Sequence, residues 1–348
     1  MEDPEAEAGG PRGDPPKLPA PAPAAWSHRH LLDLDVLSWP DIELVMSTAE
    51  AMRDVLDRPI PKVPALRGMS ATILFYEAST RTRVSFEVAA KNLSADVVNV
   101  AASTSSVAKG ESLVDTVRTV DALGADILVI RHPMSGAPYL AAEVFGGHVI
   151  NGGDGWHAHP TQALLDLFTM RQRLAGGSVA GRKVVILGDV LHSRVARSNI
   201  WSLTAAGADL WLCGPSTLLR GFEAWAASGG PAGRRFHVTS SIDEALRDAD
   251  VVMALRLQRE RMASGLLPSL REYTARFGLT AARLAAAAPD VLVMHPGPMN
   301  EGVEIAPDVA AGPHSVIADQ VTNGVAIRMA LLYLLAGGRG SAAAAPAP

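Results

Sequence analysis

The sequence predicts an α/β protein with two domains, each a parallel sheet flanked by helices. Short apolar runs alternate with stretches of helical periodicity, and this alternation occurs in two successive sets along the chain. Strands this apolar, each separated from the next by a helix, are typical of parallel sheets covered on both faces. The chain has 348 residues, which is longer than one compact core usually needs. Two domains are therefore expected, with the glycines at 176, 177 and 181 between them.

The order of elements follows from these patterns. Ser38 is a helix cap, and apolar residues recur at helical spacing from Ile42 to Met52, which predicts a first helix. The first set then has strands at 71–76, 96–100, 126–131 and 148–151 and helices at 85–93, 111–123, 137–145 and 161–175. The second set has strands at 183–188, 209–214, 237–239, 251–255 and 291–295 and helices at 196–206, 242–248 and 280–287. A last apolar helix, 318–336, is expected to pack back against the first domain.

The predicted domain limits follow from the composition of the segments between and around these sets. Residues 1–25 are rich in proline and alanine without apolar periodicity, and we expect a disordered extension there. The first domain is expected at 26–175, completed by the helix 318–336, and the second at 176–317. Residues 337–348 are expected to form a disordered tail.

The overall composition excludes several classes of protein. The net charge is −5 and no long basic run occurs, so nucleic acid is not an expected partner. The single cysteine, Cys213, rules out an internal disulfide and fits a reducing, cytoplasmic location. No apolar run reaches the roughly 18 residues of a membrane span, and the acidic, proline-rich start does not resemble a signal peptide.

The stretch E-A-S-T-R-T-R, residues 77–83, lies between an apolar run and a helical run and predicts an anion site. The N–H groups and the dipole at the start of a helix attract anions. Ser79, Thr80 and Thr82 add hydroxyl donors, and Arg81 adds a planar fork that matches two oxygens of a phosphate. The alternative is an ordinary capped helix with solvated arginines.

Two further motifs place donors at the ends of predicted strands. Arg131 ends the strand 126–131, where it could face the same anion as Arg81. The run N-G-G-D-G-W-H-A-H-P-T-Q, 151–162, offers His159 as a hydrogen-bond donor to a carbonyl oxygen and Gln162 as an amide. A metal site at His157 and His159 is disfavoured because no third ligand stands at a usual spacing. No metal or cofactor is expected.

The second set carries candidates for binding a carboxylate. The run K-V-V-I-L-G-D-V-L-H-S-R, 183–194, lacks the G-x-G-x-x-G spacing, which argues against a nicotinamide dehydrogenase. Arg194 is better explained as a carboxylate clamp. Arg256 and Gln258 stand two apart after another strand, although this charged stretch could also be a solvated face. Ser105 and Lys109 lie in a small-residue loop that is a candidate lid.

From about residue 31 to 337, the chain resembles the aspartate branch of the aspartate/ornithine carbamoyltransferase family. The motifs that carry the resemblance are S-T-R-T-R (79–83), S-S-V-A-K-G-E-S (105–112), H-P-T-Q (159–162), R-x-Q (256–258) and H-P-G-P (295–298). The ornithine branch typically has H-C-L-P and an S-M-G loop, whereas this chain has H-P-G-P, with Gly297 and without that cysteine, at the same place. Glu301 stands where relatives often carry arginine, and the first 25 residues have no counterpart in the family core.

The resemblance implies transfer of a carbamoyl group from carbamoyl phosphate to L-aspartate, an early step of pyrimidine biosynthesis, without a cofactor. It implies catalytic roles for Arg81, Thr82, Arg131 and His159. The residues implied to bind carbamoyl phosphate are Ser79, Thr80, Arg81, Thr82, Ser105, Arg131, His159, Gln162, Gly297 and Pro298. Those implied to bind aspartate are Lys109, Arg194, Arg256 and Gln258.

The resemblance also implies a homotrimer in which the loop with Ser105 and Lys109 reaches the neighbouring subunit's site. Some relatives are accompanied by a regulatory chain or by a dihydroorotase, each a separate polypeptide. Two alternatives stay open. One is a carbamoyltransferase with another amino acceptor, which Arg194 and Arg256 disfavour because they favour a dicarboxylate, whereas ornithine's amine side chain would need acids or a cysteine. The other is a catalytically silent homologue that serves as a scaffold for a partner of the pyrimidine pathway.

Overall fold

Two parallel sheets, each flanked by helices, form the protein, as a computed structural model shows for residues 26–101, 110–258 and 265–336. The predicted fold class is therefore confirmed. The predicted extension 1–25, the tail 337–348 and the loop residues Ser105 and Lys109 lie outside the described residues. None of the described helices is long and apolar enough to cross a membrane.

The elements follow one another in the predicted alternation. The first half contains α1 (Trp39–Leu56), β1 (Ser70–Phe75), α2 (Thr80–Asn92), β2 (Asp96–Ala101), α3 (Leu113–Ala122), β3 (Ile127–His132), α4 (Ala137–Val144), β4 (His148–Asp154) and α5 (Pro160–Arg173). The second half contains β5 (Lys183–Leu187), α6 (Arg194–Ala205), β6 (Asp209–Cys213), α7 (Phe222–Ala227), β7 (His237–Thr239), α8 (Ile242–Leu246), β8 (Val251–Ala254), α9 (Leu270–Phe277), α10 (Ala281–Leu284), β9 (Leu292–Met294) and α11 (Pro307–Ala310). The chain then forms α12 (Ile317–Ala336).

The strand order of each sheet determines where its carboxyl-end crevice lies. The first sheet has the order β2-β1-β3-β4 and the second β7-β6-β5-β8-β9, with all pairs parallel. The chain reverses its direction of sheet growth between β1 and β3 and again between β5 and β8. Ligands of open parallel sheets bind at such reversal points. Arg81 lies after β1 and Arg131 near the end of β3, whereas Arg194 and Arg256 follow β5 and β8.

The first and last helices of the described part of the chain pack together. Ser38 caps α1 because its side chain accepts a hydrogen bond from the Asp41 N–H, and the Asp41 carboxylate accepts one in return from the Ser38 N–H. The apolar stripe of α1 is buried. As predicted, α12 returns to the first half, where it packs against α1, α2 and α5.

Some boundaries differ from the predicted ones for physical reasons. Helix α2 starts at Thr80 rather than at residue 85, because Ser79 is extended, with φ −161°, and the polar residues after it join the first turn. Strand β4 continues through the glycines to Asp154, beyond its predicted end at residue 151. Helices α7, α9 and α11 were not predicted. They contain 6, 8 and 4 residues.

Candidate active site

A cavity of about 1060 Å³ opens between the two halves of the molecule, at the carboxyl ends of both sheets. Every predicted site residue in the described part of the chain lies on its wall. These residues are Ser79, Thr80, Arg81, Thr82, Arg131, His159, Gln162, Arg194, Arg256, Gln258, Gly297 and Pro298. The remaining two, Ser105 and Lys109, lie outside the described residues.

The start of α2 forms one end of the cavity. Ser79 is the N-cap residue, yet within the described residues its side chain makes no capping hydrogen bond, and the first turn of the helix carries no acid. The hydroxyl and the first N–H groups of the helix are therefore available to an anion. Arg81 is exposed on this wall, whereas Thr82 is buried.

Glu77 joins an arginine from each half of the molecule. Its Oε2 lies 3.1 Å from Arg131 Nη2 and 2.5 Å from Arg194 Nη2. The side chains of Arg131 and Arg194 are only 12% and 6% exposed. The other Nη atom of each arginine donates to a backbone carbonyl, Arg131 to Gly152 at 3.1 Å and Arg194 to Gly155 at 3.2 Å. Both guanidinium groups are therefore fixed at the cavity wall.

The glycines at the end of β4 allow these arginines to approach the backbone. Gly153 has φ +117°, a conformation that favours glycine. A Cβ atom there would lie 3.0 Å from Arg131 Nη1 and 3.1 Å from Arg194 Nε. The two guanidinium groups therefore need a glycine at this position in order to pack against the backbone.

His159 precedes α5 as its N-cap residue and is only 4% exposed. Its backbone N–H donates to Ser198 Oγ at 2.9 Å, and its buried Nδ1 has no hydrogen-bond partner among the described residues. Burial, aided by Arg131, Arg194 and Arg328, lowers the pKa of His159 well below 6.5. The imidazole is therefore neutral at physiological pH and can give one N–H to a carbonyl oxygen without acting as a strong acid.

The two histidines of H-A-H point to different partners. His157 contacts Asp154 Oδ2 at 3.2 Å and Asp33 Oδ2 at 3.5 Å, away from the cavity. In the described part of the chain, no group of three or more His, Cys, Asp or Glu residues is placed to hold a metal ion.

Hydrogen bonds to buried acids position the two loops of the second half. Asp189 accepts from the Gln258 N–H at 3.1 Å, which holds the R-x-Q segment against the turn after β5. In the H-P-G-P segment, His295 Nδ1 accepts from the Gly297 N–H at 2.8 Å, and its Nε2 faces Glu304 at 3.2 Å. Gly297 has φ +65°, and a Cβ atom there would overlap the Arg81 guanidinium.

Sequence reasoning assigned no role to two charged residues of this wall, Glu77 and Arg328. Arg328 lies on α12, is 3% exposed and has its guanidinium 5.0 Å from the centre of the Phe86 ring. Its burial lowers its pKa to about 10. The signal that could have found it was an arginine within the apolar second half of α12. Glu77 stands at the head of the S-T-R-T-R motif, but its two partners are distant in sequence.

The chain matches models of a known family over most of its length. A family model described as the carbamoyl-P binding domain of aspartate/ornithine carbamoyltransferase matches residues 29–172. A second, described as the Asp/Orn binding domain of the same enzymes, matches residues 180–335. The chain belongs to the aspartate/ornithine carbamoyltransferase family. The resemblance noted in the sequence is thereby confirmed.

Relatives within this carbamoyltransferase family are similar over most of their length. The aspartate carbamoyltransferase catalytic subunit of Roseiflexus sp. (strain RS-1) is 62% identical over 89% of this chain and 95% of its own. The same subunit of Heliobacterium modesticaldum is 57% identical over 92% of this chain and 99% of its own.

Solved structures from both branches share the fold. Trypanosoma cruzi aspartate transcarbamoylase, in complex with carbamoyl phosphate and aspartate, has a TM-score of 0.80 at 32% identity, over 92% of this chain and 99% of that one. Ornithine carbamoyltransferase from Pyrococcus furiosus has a TM-score of 0.77 at 28% identity, over 89% of this chain and 97% of that one. Because both branches share the fold, the acceptor must be argued from side chains.

Proposed function

We propose that the chain transfers the carbamoyl group of carbamoyl phosphate to the amine of L-aspartate. The products are N-carbamoyl-L-aspartate and phosphate, in an early step of pyrimidine biosynthesis. The observation that carries this proposal is one cavity whose first-half wall offers Arg81 and Arg131 and whose second-half wall offers Arg194 and Arg256. Relatives that are 52–62% identical and are named aspartate carbamoyltransferase catalytic subunit support it.

Carbamoyl phosphate would bind at the carboxyl end of the first sheet. The start of α2, with Ser79, Thr80, Arg81 and Thr82, would hold the phosphate. Thr82, Arg131 and neutral His159 would donate hydrogen bonds to the carbonyl oxygen. Gln162 and the backbone carbonyls near Gly297 and Pro298 would accept from the amide group.

Aspartate would enter between the two halves. Arg194, Arg256 and Gln258 would bind its carboxylates, together with Lys109. The deprotonated amine attacks the carbonyl carbon, and the negative charge that develops on the oxygen faces the Thr82, Arg131 and His159 donors. The C–O bond to phosphate then breaks, and phosphate leaves with the proton released by the amine. Because the donor is already activated, positioning and charge stabilisation are sufficient.

The decisive assay compares two acceptors. Purified chain of known oligomeric state is given carbamoyl phosphate with either aspartate or ornithine, and the carbamoylated product is measured. Turnover with aspartate alone is the expected result. Turnover with ornithine would favour another acceptor, and a well-folded chain that turns over neither would favour the scaffold hypothesis.

Replacing Arg256 should weaken aspartate binding selectively. In Arg256→Ala, the apparent KM for aspartate should rise by roughly tenfold to a hundredfold, as expected for loss of a charge-assisted hydrogen bond. The KM for carbamoyl phosphate, measured in the same variant, is the internal control and should change little. An unchanged KM for aspartate would contradict the clamp.

We also propose that the two predicted domains each bind one substrate. The first, 26–175 completed by α12, would bind carbamoyl phosphate, and the second, 176–317, would bind aspartate. The contacts of α12 with α1, α2 and α5 support this division. So do the two family matches, one of which ends at 172 while the other begins at 180.

The free, buried Cys213 supports a cytoplasmic location.

We further propose a homotrimer in which Ser105 and Lys109 complete the neighbouring subunit's site, as the family resemblance implies. A regulatory chain or a dihydroorotase is a candidate further partner. If sites are shared, mixing Lys109→Ala chains with Arg81→Ala chains should restore part of the activity. Some sites in hybrid trimers would then combine an intact Arg81 from one chain with an intact Lys109 from its neighbour. Hybrids that assemble but stay inactive would indicate a site built within one chain.

A further inference from the structure

Asp166, a buried carboxylate behind the cavity wall, accepts hydrogen bonds from three side-chain amides. It lies on α5 and is 0% exposed. Its Oδ1 accepts from Gln162 Nε2 at 2.9 Å and from Gln320 Nε2 at 2.7 Å, and its Oδ2 accepts from Asn199 Nδ2 at 2.9 Å. These amides come from α5, α12 and α6. One carboxylate therefore links three helices around the site.

The chemistry of the neighbours determines which way each amide faces. Gln320 Oε1 accepts from the His295 N–H at 3.0 Å, and a backbone N–H can only donate, so the NH₂ end of Gln320 must face Asp166. The NH₂ of Asn199 also donates to the Val195 carbonyl at 3.1 Å. Burial raises the pKa of Asp166 to about 6, while the three amides and Arg328 oppose that rise. At neutral pH the ionised carboxylate can only accept.

We propose that Asp166 is a positioning residue that orients Gln162 so that the binding site selects a carbamoyl group. Because the Gln162 NH₂ is held by Asp166, the amide oxygen is the end left for the cavity, whose wall includes Gln162. That oxygen accepts a hydrogen bond from the NH₂ of the carbamoyl group. Acetyl phosphate has a methyl group in place of this NH₂, so it cannot donate a hydrogen bond to the Gln162 oxygen. This inference rests on the proposed function.

The variant Asp166→Leu tests the orientation. It keeps a side chain of similar shape but removes both acceptor oxygens, so the Gln162 amide loses the partner that fixes it, and a turned Gln162 would present its NH₂ to the NH₂ of the carbamoyl group. The KM for carbamoyl phosphate should rise by about tenfold to a hundredfold, the usual effect of a mismatched buried polar pair. The inhibition constant of acetyl phosphate should stay nearly unchanged, so the preference for carbamoyl over acetyl phosphate is lost.

The matched control is Thr169→Val. Thr169 also joins α5 to α12 from a buried position, accepting from Asn323 Nδ2 at 3.0 Å, but it does not line the cavity. This variant should lower the melting temperature and leave both constants as in the wild type. If Asp166 had a purely structural role, its variant would also show a lower melting temperature with both constants unchanged.

Two further measurements make the outcomes decisive. In a Gln162→Ala background, Asp166→Leu should not change the carbamoyl-to-acetyl preference further, and an additional loss would overturn the inference. If Asp166→Leu does not fold, hydrogen exchange of the wild-type Gln162 side chain tests the inference instead: its NH₂ protons should exchange slowly, and fast exchange would overturn the inference. A wild-type chain that binds carbamoyl phosphate with this preference but makes no product would remove the proposed function and leave the inference standing.

Discussion

Replacing Arg81 with alanine should nearly abolish turnover while leaving the protein as stable as the wild type. Arg81 stands in the first turn of α2, exposed on the cavity wall, where helix N–H groups and hydroxyls converge. Removing one preorganised donor to a developing or transferred charge typically lowers kcat by about a hundred- to a thousandfold, and a bidentate arginine supplies two donors. Because the side chain is exposed, its loss creates no cavity in the core.

Arg83 provides the matched control for this variant. It lies two residues further along α2, is exposed and does not line the cavity. Initial rates of product formation and melting curves should therefore show wild-type activity for Arg83→Ala and loss of activity, at an unchanged melting temperature, for Arg81→Ala. Retained activity in Arg81→Ala would remove its role in holding the phosphate.

The fold and the positions of the arginines were predictable because they depend on local patterns. Alternating apolar and helical stretches predicted parallel sheets, and parallel sheets bring their carboxyl ends to one edge. Arg131 follows directly from this rule, since it lies near the end of β3. The strand order itself was not predictable, because it depends on pairing between residues far apart in sequence.

The polar partners of the predicted residues were not predictable for the same reason. Glu77 and Arg194 are 117 positions apart, and Gln320 and Asp166 are 154 apart. Local sequence indicates that a carboxylate or an amide is present, but only the packing of α5, α6 and α12 decides which groups meet. The role of the glycines of β4 was not predictable either, because it depends on arginines from other elements of the fold.

Replacing Arg131 with alanine should lower kcat strongly and stability modestly. Arg131 is fixed by Glu77 and the Gly152 carbonyl, so a donor aimed at the carbonyl oxygen is lost together with one ion pair. We expect kcat to fall by about a hundred- to a thousandfold. The KM for carbamoyl phosphate should change less, because the start of α2 still holds the phosphate. Glu77 keeps its ion pair with Arg194 in this variant, so its charge is not left unpaired and the loss in free energy of unfolding is limited.

The variant Arg171→Ala separates the two effects. Arg171 also forms an ion pair between elements, 2.8 Å from Glu43, and is 21% exposed, but it does not line the cavity. Both variants should have a somewhat lower melting temperature than the wild type, and only Arg131→Ala should have a lower kcat. If kcat were retained in Arg131→Ala while the KM for carbamoyl phosphate rose, Arg131 would serve binding alone. The charge on the carbonyl oxygen would then have to be stabilised by Thr82 and His159, and replacing His159 should become the more damaging change.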